Sequence, residues 1–335
     1  EDVSGSISLS GSLGASILSQ RRDFQSMDAR VLKAADVYHV SNAETYYPSS
    51  SLWEKEIQSL FFTGQIAYQN YLFLDVTGRN DWSSTLGVNE QSYFYPSVAG
   101  SFVFTDALAI DENILSFGKV RASWAQVGND SEPYLTKEGY TLYTTGWDGR
   151  SLASKSGQLP LFDLKNELTE SWEVGADLRF FQNRLSLDFT YYHGVTTNQI
   201  LPTTISNASG FSSIVINAGE ILNEGVEATL FATPVRTGTG FRWDINANFA
   251  RNKSMVVDLA PGVETYQLVS SAYPNNIEAR PGEEFGNIVG YATKKSPDGQ
   301  LIVGDNGAYV REAETSILGN ITPDWIGGLN NTLSY

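Results

Sequence analysis

Apolar and polar residues alternate along much of this chain, most clearly over residues 171–192. Trp172, Val174, Ala176, Leu178 and Phe180 fall on one side of an extended run, and Glu173, Gly175, Asp177 and Arg179 on the other. Beyond Gln182 and Asn183 the pattern resumes with Leu185, Leu187, Phe189 and Tyr191 against Arg184, Ser186, Asp188 and Thr190. Successive side chains of a strand point to opposite faces, so the pattern predicts a hairpin with one oily face and one charged face. Each run keeps its alternation for roughly 10 residues, about twice the usual strand of a soluble protein. That length suits a tilted crossing of a bilayer.

The same signature recurs along the chain. Val3, Ile7, Leu9 and Leu13 oppose Ser4, Ser6, Ser8, Ser10 and Ser12, and a charged, Ser-rich segment running to about Glu56 follows. Phe62, Gly64, Ile66 and Tyr68 lead to a tight turn at Gln69 and Asn70, and Leu72, Leu74 and Val76 lead away from it. Later strands are centred on Val98 and Phe102, Val120 and Trp124, Val226 and Leu230, and Ile245 and Phe249, with a last one beginning near Trp325. A polar segment fills 129–166, a Ser/Asn-rich loop follows Leu201 and Pro202, and the longest connection, 252–320, holds turn signals and a small hairpin of its own. The total is about ten principal strands. Connectors alternate between short and long, including the one after Phe104, which counts as short. In a meander this places tight turns at one end and large loops at the other, as in outer-membrane barrels. Aromatic residues gather near strand ends (Tyr68, Tyr71, Trp82, Tyr93, Phe94, Tyr95, Phe180, Phe181, Tyr191, Tyr192). They read either as an interfacial girdle or as the ordinary aromatic enrichment of strands.

Composition removes several classes of function. The chain has 335 residues and no Cys, which excludes disulfides, thiol catalysis and thiolate metal sites. With 38 acidic and 22 basic residues the formal charge is −16, and no basic patch interrupts it, so nucleic acid is not expected as a partner. No apolar run reaches the roughly 20 residues of a spanning helix, and alternation would hide a membrane barrel from a hydropathy window.

Six segments occur in order: 72–84 (LFLDVTGRNDWSS), 95–102 (YPSVAGSF), 115–124 (LSFGKVRASW), 180–185 (FFQNRL), 217–227 with its NAG and NEGVE, and 318–325 (LGNITPDW). Together, over most of the chain from about Phe61 onward, they resemble the SusC/RagA family of TonB-dependent outer-membrane transporters. The resemblance implies an all-β, antiparallel transmembrane β-barrel with long extracellular loops and short periplasmic turns, sited in the outer membrane of Bacteroidetes-type bacteria. It further implies a SusD-like surface lipoprotein over the mouth, cargo of oligosaccharide or peptide, and energy delivered through TonB to a plug. The plug and TonB box are not present in this chain, and barrels with a plugged lumen use about 22 strands. Residues 1–335 are therefore expected to be a segment of the receptor barrel domain, unable by itself to couple to TonB.

Chemistry beyond transport finds little support. His39 and His193 are the only histidines, and they lie in no metal-ligand or triad spacing. No nucleophile elbow or phosphate loop appears, so neither catalytic residues nor a cofactor is expected. The charges Glu173, Asp177, Arg179, Arg184, Asp188, Arg242 and Asp244 would line the lumen, either paired with one another or forming a polar path. For sugar recognition, rings beside amides and carboxylates are the useful chemistry. That singles out Asp81, Trp82, Asn129, Asp130, Tyr143 and Trp147 on the long-loop side as candidate substrate contacts. Two alternatives stand beside the importer: an omptin-like barrel enzyme, for which about ten strands would close a barrel, and a soluble carbohydrate-binding β-sandwich.

Overall fold

A computed structural model describes residues 2–4, 6–111, 113–148, 150–269 and 275–335. After the short β1 (Asp2–Ser4), β2 (Ile7–Leu32), β3 (Ala43–Tyr68), β4 (Leu72–Ser83) and β5 (Ser92–Val103) follow one another, and a short helix α1 (Phe104–Leu108) leads to β6 (Leu115–Asn129). β7 (Tyr140–Trp147), β8 (Arg150–Lys155) and β9 (Gln158–Leu159) lie in a loop, before β10 (Glu167–Phe180) and β11 (Leu185–Thr197) form the 171–192 hairpin. The loop strands β12 (Ile200–Thr204) and β13 (Ser213–Asn217) precede β14 (Glu220–Arg236) and β15 (Arg242–Asp258). The last loop contains β16 (Tyr266–Val269), β17 (Asn276–Ala279), β18 (Asn287–Thr293) and β19 (Arg311–Asn320), and β20 (Ile326–Ser334) ends the wall. One antiparallel sheet in the order β1-β2-β3-β4-β5-β6-β10-β11-β14-β15-β20 joins the ten long wall strands, with β1 at its edge.

Register turns the alternation into two continuous surfaces. Ile7, Tyr68, Leu72, Phe102, Val120, Ala176, Phe189, Ala228, Phe249 and Gly327 are cross-strand partners in one unbroken row. Every position in it is apolar, aromatic or Gly. A row on the opposite face reads Gln65, Asp75, Ala99, Ser123, Glu173, Tyr192, Gly225 and Asn252. A one-residue slip anywhere would exchange the faces, so the oily row fixes the register. Among the described residues no second layer covers it: Leu72, Val120 and Phe249 remain 46%, 44% and 41% exposed. In a sandwich these side chains would be buried between two sheets, so the soluble sandwich is ruled out. Among the described residues, no helix is long and apolar enough to cross a membrane, which leaves strand crossing untouched.

The two ends differ, with one exception to the expectation. Gln69 and Asn70 both have positive φ (47° and 60°) in the three-residue connection between the paired Tyr68 and Leu72, closed by the Tyr71 N–H donating to the Tyr68 carbonyl. Phe181, Gln182 and Asn183 make another tight connection, and 237–241 a third. The connector between β5 and β6 is not tight; it carries α1 and runs over 104–114.

The long-loop end is more ordered than the sequence predicts. The charged segment read as a loop up to Glu56 is strand for most of its length. β2 and β3 stay in one register from Ile7 opposite Tyr68 to Arg30 opposite Thr45. Water bathes both faces of this upper hairpin, so its strands show no oily alternation. The 129–166 segment contains three strands, the Ser/Asn-rich loop contains a hairpin, and the last loop is a four-stranded sheet, β16-β17-β18-β19, where a single small hairpin was expected. The loops, with the strand ends beneath them, hold the hydrophobic cores. Leu86, Tyr93, Leu164 and Val215 form one, and Val256, Leu259 and Ala279 the other.

Candidate functional site

The 72–84 segment builds the base of the loop assembly. Alternation along β4 sends Arg79, Asp81 and Ser83 to the charged face. There Arg79 donates through Nε to Asp81 Oδ1 at 2.7 Å and through Nη2 to Ser59 Oγ at 2.8 Å. Tyr95 on β5 donates its hydroxyl to Asp81 Oδ2 at 2.7 Å, and its ring stacks on Tyr93 at a centroid distance of 6.0 Å. One turn higher, Lys55 of β3 pairs with Asp130 Oδ1 at 2.5 Å, while Ser83 and Thr85 donate hydroxyls to Asp130 Oδ2 at 2.5 and 3.3 Å. Ser131 donates to the Thr85 carbonyl at 3.1 Å. A buried carboxylate is tolerable only when such partners replace its water. Among the described residues, no buried side-chain polar atom lacks a partner.

The candidate contacts therefore have different fates. Asp81 and Asp130 come together in this base, where both are buried and their oxygens are engaged by the groups just named. Asn129 donates to Glu167 Oε2 at 3.0 Å on the neighbouring β10. Trp82 shares its side of β4 with Leu72 and Leu74, so it belongs to the oily face at the loop end. Tyr143 and Trp147 stand apart on the β7–β8 hairpin; Tyr143 donates to Ser154 Oγ at 3.2 Å, and Trp147 is 79% exposed. Lys55, Ser83, Thr85 and Ser131 are not singled out by the sequence, and Tyr95 is read there only as a strand-end aromatic. The even spacing of Asp81, Ser83 and Thr85 was the one available signal for two of them.

Around this base the loops lock together. Gly87 donates its N–H to the Leu164 carbonyl at 3.0 Å. β9 pairs in parallel with β13, and Asn217 joins Lys165 to Asn198 through its side chain. Trp53 of the upper hairpin donates Nε1–H to Glu132 Oε2 at 2.7 Å. Within the four-stranded loop sheet, burial raises the Tyr266 phenol above its ordinary pKa.

Below the base, the charged face consists mostly of closed pairs. Arg121 on β6 reaches across β10 to Asp188 on β11 with two parallel bonds of 2.9 and 2.7 Å, and to Thr190 Oγ1 at 2.6 Å. Gly175 permits this crossing, since a Cβ there would lie 2.8 Å from the guanidinium. Arg179 pairs with Asp177 at 3.0 Å and Arg242 with Asp244 at 2.7 Å, while Arg184 donates to the Thr233 and Pro234 carbonyls. The girdle splits by parity: Tyr68, Trp82, Phe94 and Tyr191 edge the oily face, and Tyr93, Tyr95 and Tyr192 the charged one. Trp172 packs between Tyr191 and His193, at 5.3 and 5.5 Å. Among the described residues no acid/His cluster could hold a metal.

Known proteins share this architecture. The family model described as TonB dependent receptor-like, beta-barrel matches residues 2–334. TonB-dependent receptor P3 of Formosa agariphila is 30% identical over 320 residues, which cover 88% of this chain and 32% of that protein. TonB-dependent receptor P26 of the same organism is 30% identical over 308 residues, covering 84% and 30%. The chain thus spans about a third of the length of these curated relatives. In structure it is similar to the RagAB peptide importer in its closed-closed state, with a TM-score of 0.80, 22% identity, and coverage of 99% of this chain and 38% of that one. The outer membrane transporter YddB from Escherichia coli shares the fold at a TM-score of 0.52 and 14% identity. The match sets the omptin-like enzyme aside: the chain belongs to the TonB-dependent receptor family, as part of its outer-membrane β-barrel.

Proposed function

We propose that this chain is a wall segment of an active importer of oligosaccharides or peptides, energised through TonB and working with a SusD-like surface lipoprotein over its mouth. The observation that carries the reading is the ten-strand oily row, backed by a charged face and topped by ordered loops. Hydrocarbon requires the first, an aqueous and occluded interior suits the second, and capture of cargo outside the cell suits the third. RagAB is described as a peptide importer, which is consistent with peptide cargo here. Trp147 and Tyr143, exposed on the β7–β8 hairpin, are the candidate rings for stacking on a sugar or a peptide side chain. Asp81 and Asp130 support cargo contact by holding the loop base in place.

Two measurements test this. Trypsin added to intact cells is expected to cut at Lys137, Lys155 and Lys294 in the loops and to spare Arg184 beside the tight turn; early cleavage at Arg184 would reverse the topology. A strain lacking the gene should grow normally on monosaccharides and free amino acids and lose growth on one complex glycan or protein digest. Undiminished growth across a broad panel of both would count against import.

A further inference from the structure

Above β4, one edge of β3 is paired with no strand among the described residues, although β7 of the neighbouring loop comes close to β3. In an antiparallel ladder the N–H and C=O of one residue point to the same side, and alternate residues point to opposite sides. The N–H of Glu54 goes to Tyr134 Oη at 3.0 Å and that of Glu56 to Ser84 Oγ at 3.0 Å, while the Glu56 carbonyl accepts from Ser84 N–H. The even-numbered residues of β3 therefore face away from β2. From Gln58 to Tyr68 they meet β4, which ends at Ser83. Higher up, the ladder groups of Glu44, Tyr46, Ser50 and Leu52 meet no partner among the described residues, and these four residues are exposed. The next strand in the wall order, β4, lies within this chain and stops short of this edge.

We propose that residues 48–54 of β3 bind an extended peptide by strand addition. The inference rests on the importer reading and names one cargo class for it. Both ends of the slot are defined: Pro48 offers a carbonyl but no N–H, and the Glu54 N–H is already held by Tyr134. Between them Ser50 and Leu52 each present a donor and an acceptor. The span is about 20 Å at roughly 3.4 Å per residue, room for five or six peptide residues. An oligosaccharide has no alternating amide ladder to match this edge. A long partner strand would lose a bond at Pro48, the usual way an edge is protected from such pairing. Charge narrows the choice further. Arg22 lies over the Trp53 ring at 4.5 Å and forms no ion pair among the described residues, whereas Arg30, over Tyr47, is neutralised by Asp28. Glu132 holds the Nε1–H edge of Trp53 without forming an ion pair with Arg22, and a second acidic side chain beside the guanidinium would complete it, so the fitting peptide carries Glu or Asp toward its centre.

The test uses the full-length transporter in detergent micelles and a capped synthetic pentapeptide, acetyl-Thr-Val-Glu-Val-Thr-amide. Hydrogen exchange is expected to slow at Ser50 and Leu52 when peptide binds. An N-methyl scan of the probe should weaken binding roughly three- to tenfold at alternate residues and leave the intervening ones unchanged, the signature of a ladder. Leu52→Pro, which removes an N–H that β2 does not use, should weaken binding by a similar factor while the barrel still migrates as a folded species in unheated gels. If that variant fails to assemble, the N-methyl scan on the unaltered protein decides alone. Binding without a two-residue period, or protection confined to another segment, overturns the proposal. Protection of this edge only after the surface lipoprotein is added also overturns it, in favour of a protein-docking strand. Undiminished peptide uptake by cells carrying Leu52→Pro removes the edge site and leaves import standing; energy-independent uptake by unaltered cells would instead remove the importer reading.

Discussion

Phe189 in the wall leaves 41% of its surface uncovered, whereas Leu164 in the loops leaves none. Both are large apolar side chains in a β-rich chain, and the difference lies in the solvent each region is built for. Wall side chains need no protein partner because acyl chains cover them, so one sheet suffices and its stability comes from ladder bonds and register. The loops stand in water, where apolar surface has to be removed by packing. They accordingly form two small cores and a base of satisfied carboxylates. The wall keeps its charges on the face opposite the oily row, and the loops hide their hydrocarbon.

Removing a carboxylate from the loop base should have the largest effect. Asp130→Ala strips Lys55 of its partner and leaves Ser83 and Thr85 without their shared acceptor. Breaking a buried pair from one side costs about 3–5 kcal/mol. The loss should stay local, with hydrogen exchange and proteolysis rising sharply across 130–166 while the barrel still assembles. Collapse of the whole barrel would mean that wall and loops do not fold under separate rules.

The converse experiment is placed in the wall. Phe189→Arg puts a charge in the middle of the oily row and should cost about 2–4 kcal/mol, read as lost outer-membrane yield and a lower urea midpoint in lipid. Thr190→Arg, one residue along and on the charged face, should be far milder. Equal effects at the two positions would contradict the assignment of faces.

The same contrast decides what the sequence revealed. In the wall every second position obeys one rule imposed by lipid, so Leu72, Val120, Ala176 and Phe189 could be placed on one face from spacing alone, and Trp82 shares their parity. The upper halves of β2 and β3 obey no such rule. Arg21, Arg22, Ser49, Ser50 and Ser51 are wet on either side, and nothing in their order separates a solvated strand from a loop. The loop base was half legible. Asp81 and Asp130 stood out as carboxylates near strand ends, but Lys55 lies 75 residues before Asp130 and Ser83 47 before it. Only the folded register brings them together, and it turns two exposed-looking acids into buried anchors.

The smallest expected effect tests the charged face of the wall, where the contrast with the loops is least sharp. The Arg121–Asp188 fork passes over Gly175, and an added methyl there would also come within 2.8 Å of the Phe189 carbonyl. Because that neighbour is backbone, it cannot rotate away. Gly175→Ala should therefore strain the β10–β11 ladder and displace Arg121 together, at a cost of about 1–3 kcal/mol typical of overpacking. The fork itself is partly exposed, with side-chain exposures of 33% and 46%, and contributes little to such a total. Arg121→Gln alone should consequently lower the urea midpoint much less than Gly175→Ala does. If Arg121→Gln proves the more damaging, the fork is a structural clamp, and the charged face resembles the buried loop base more closely than a water-lined wall.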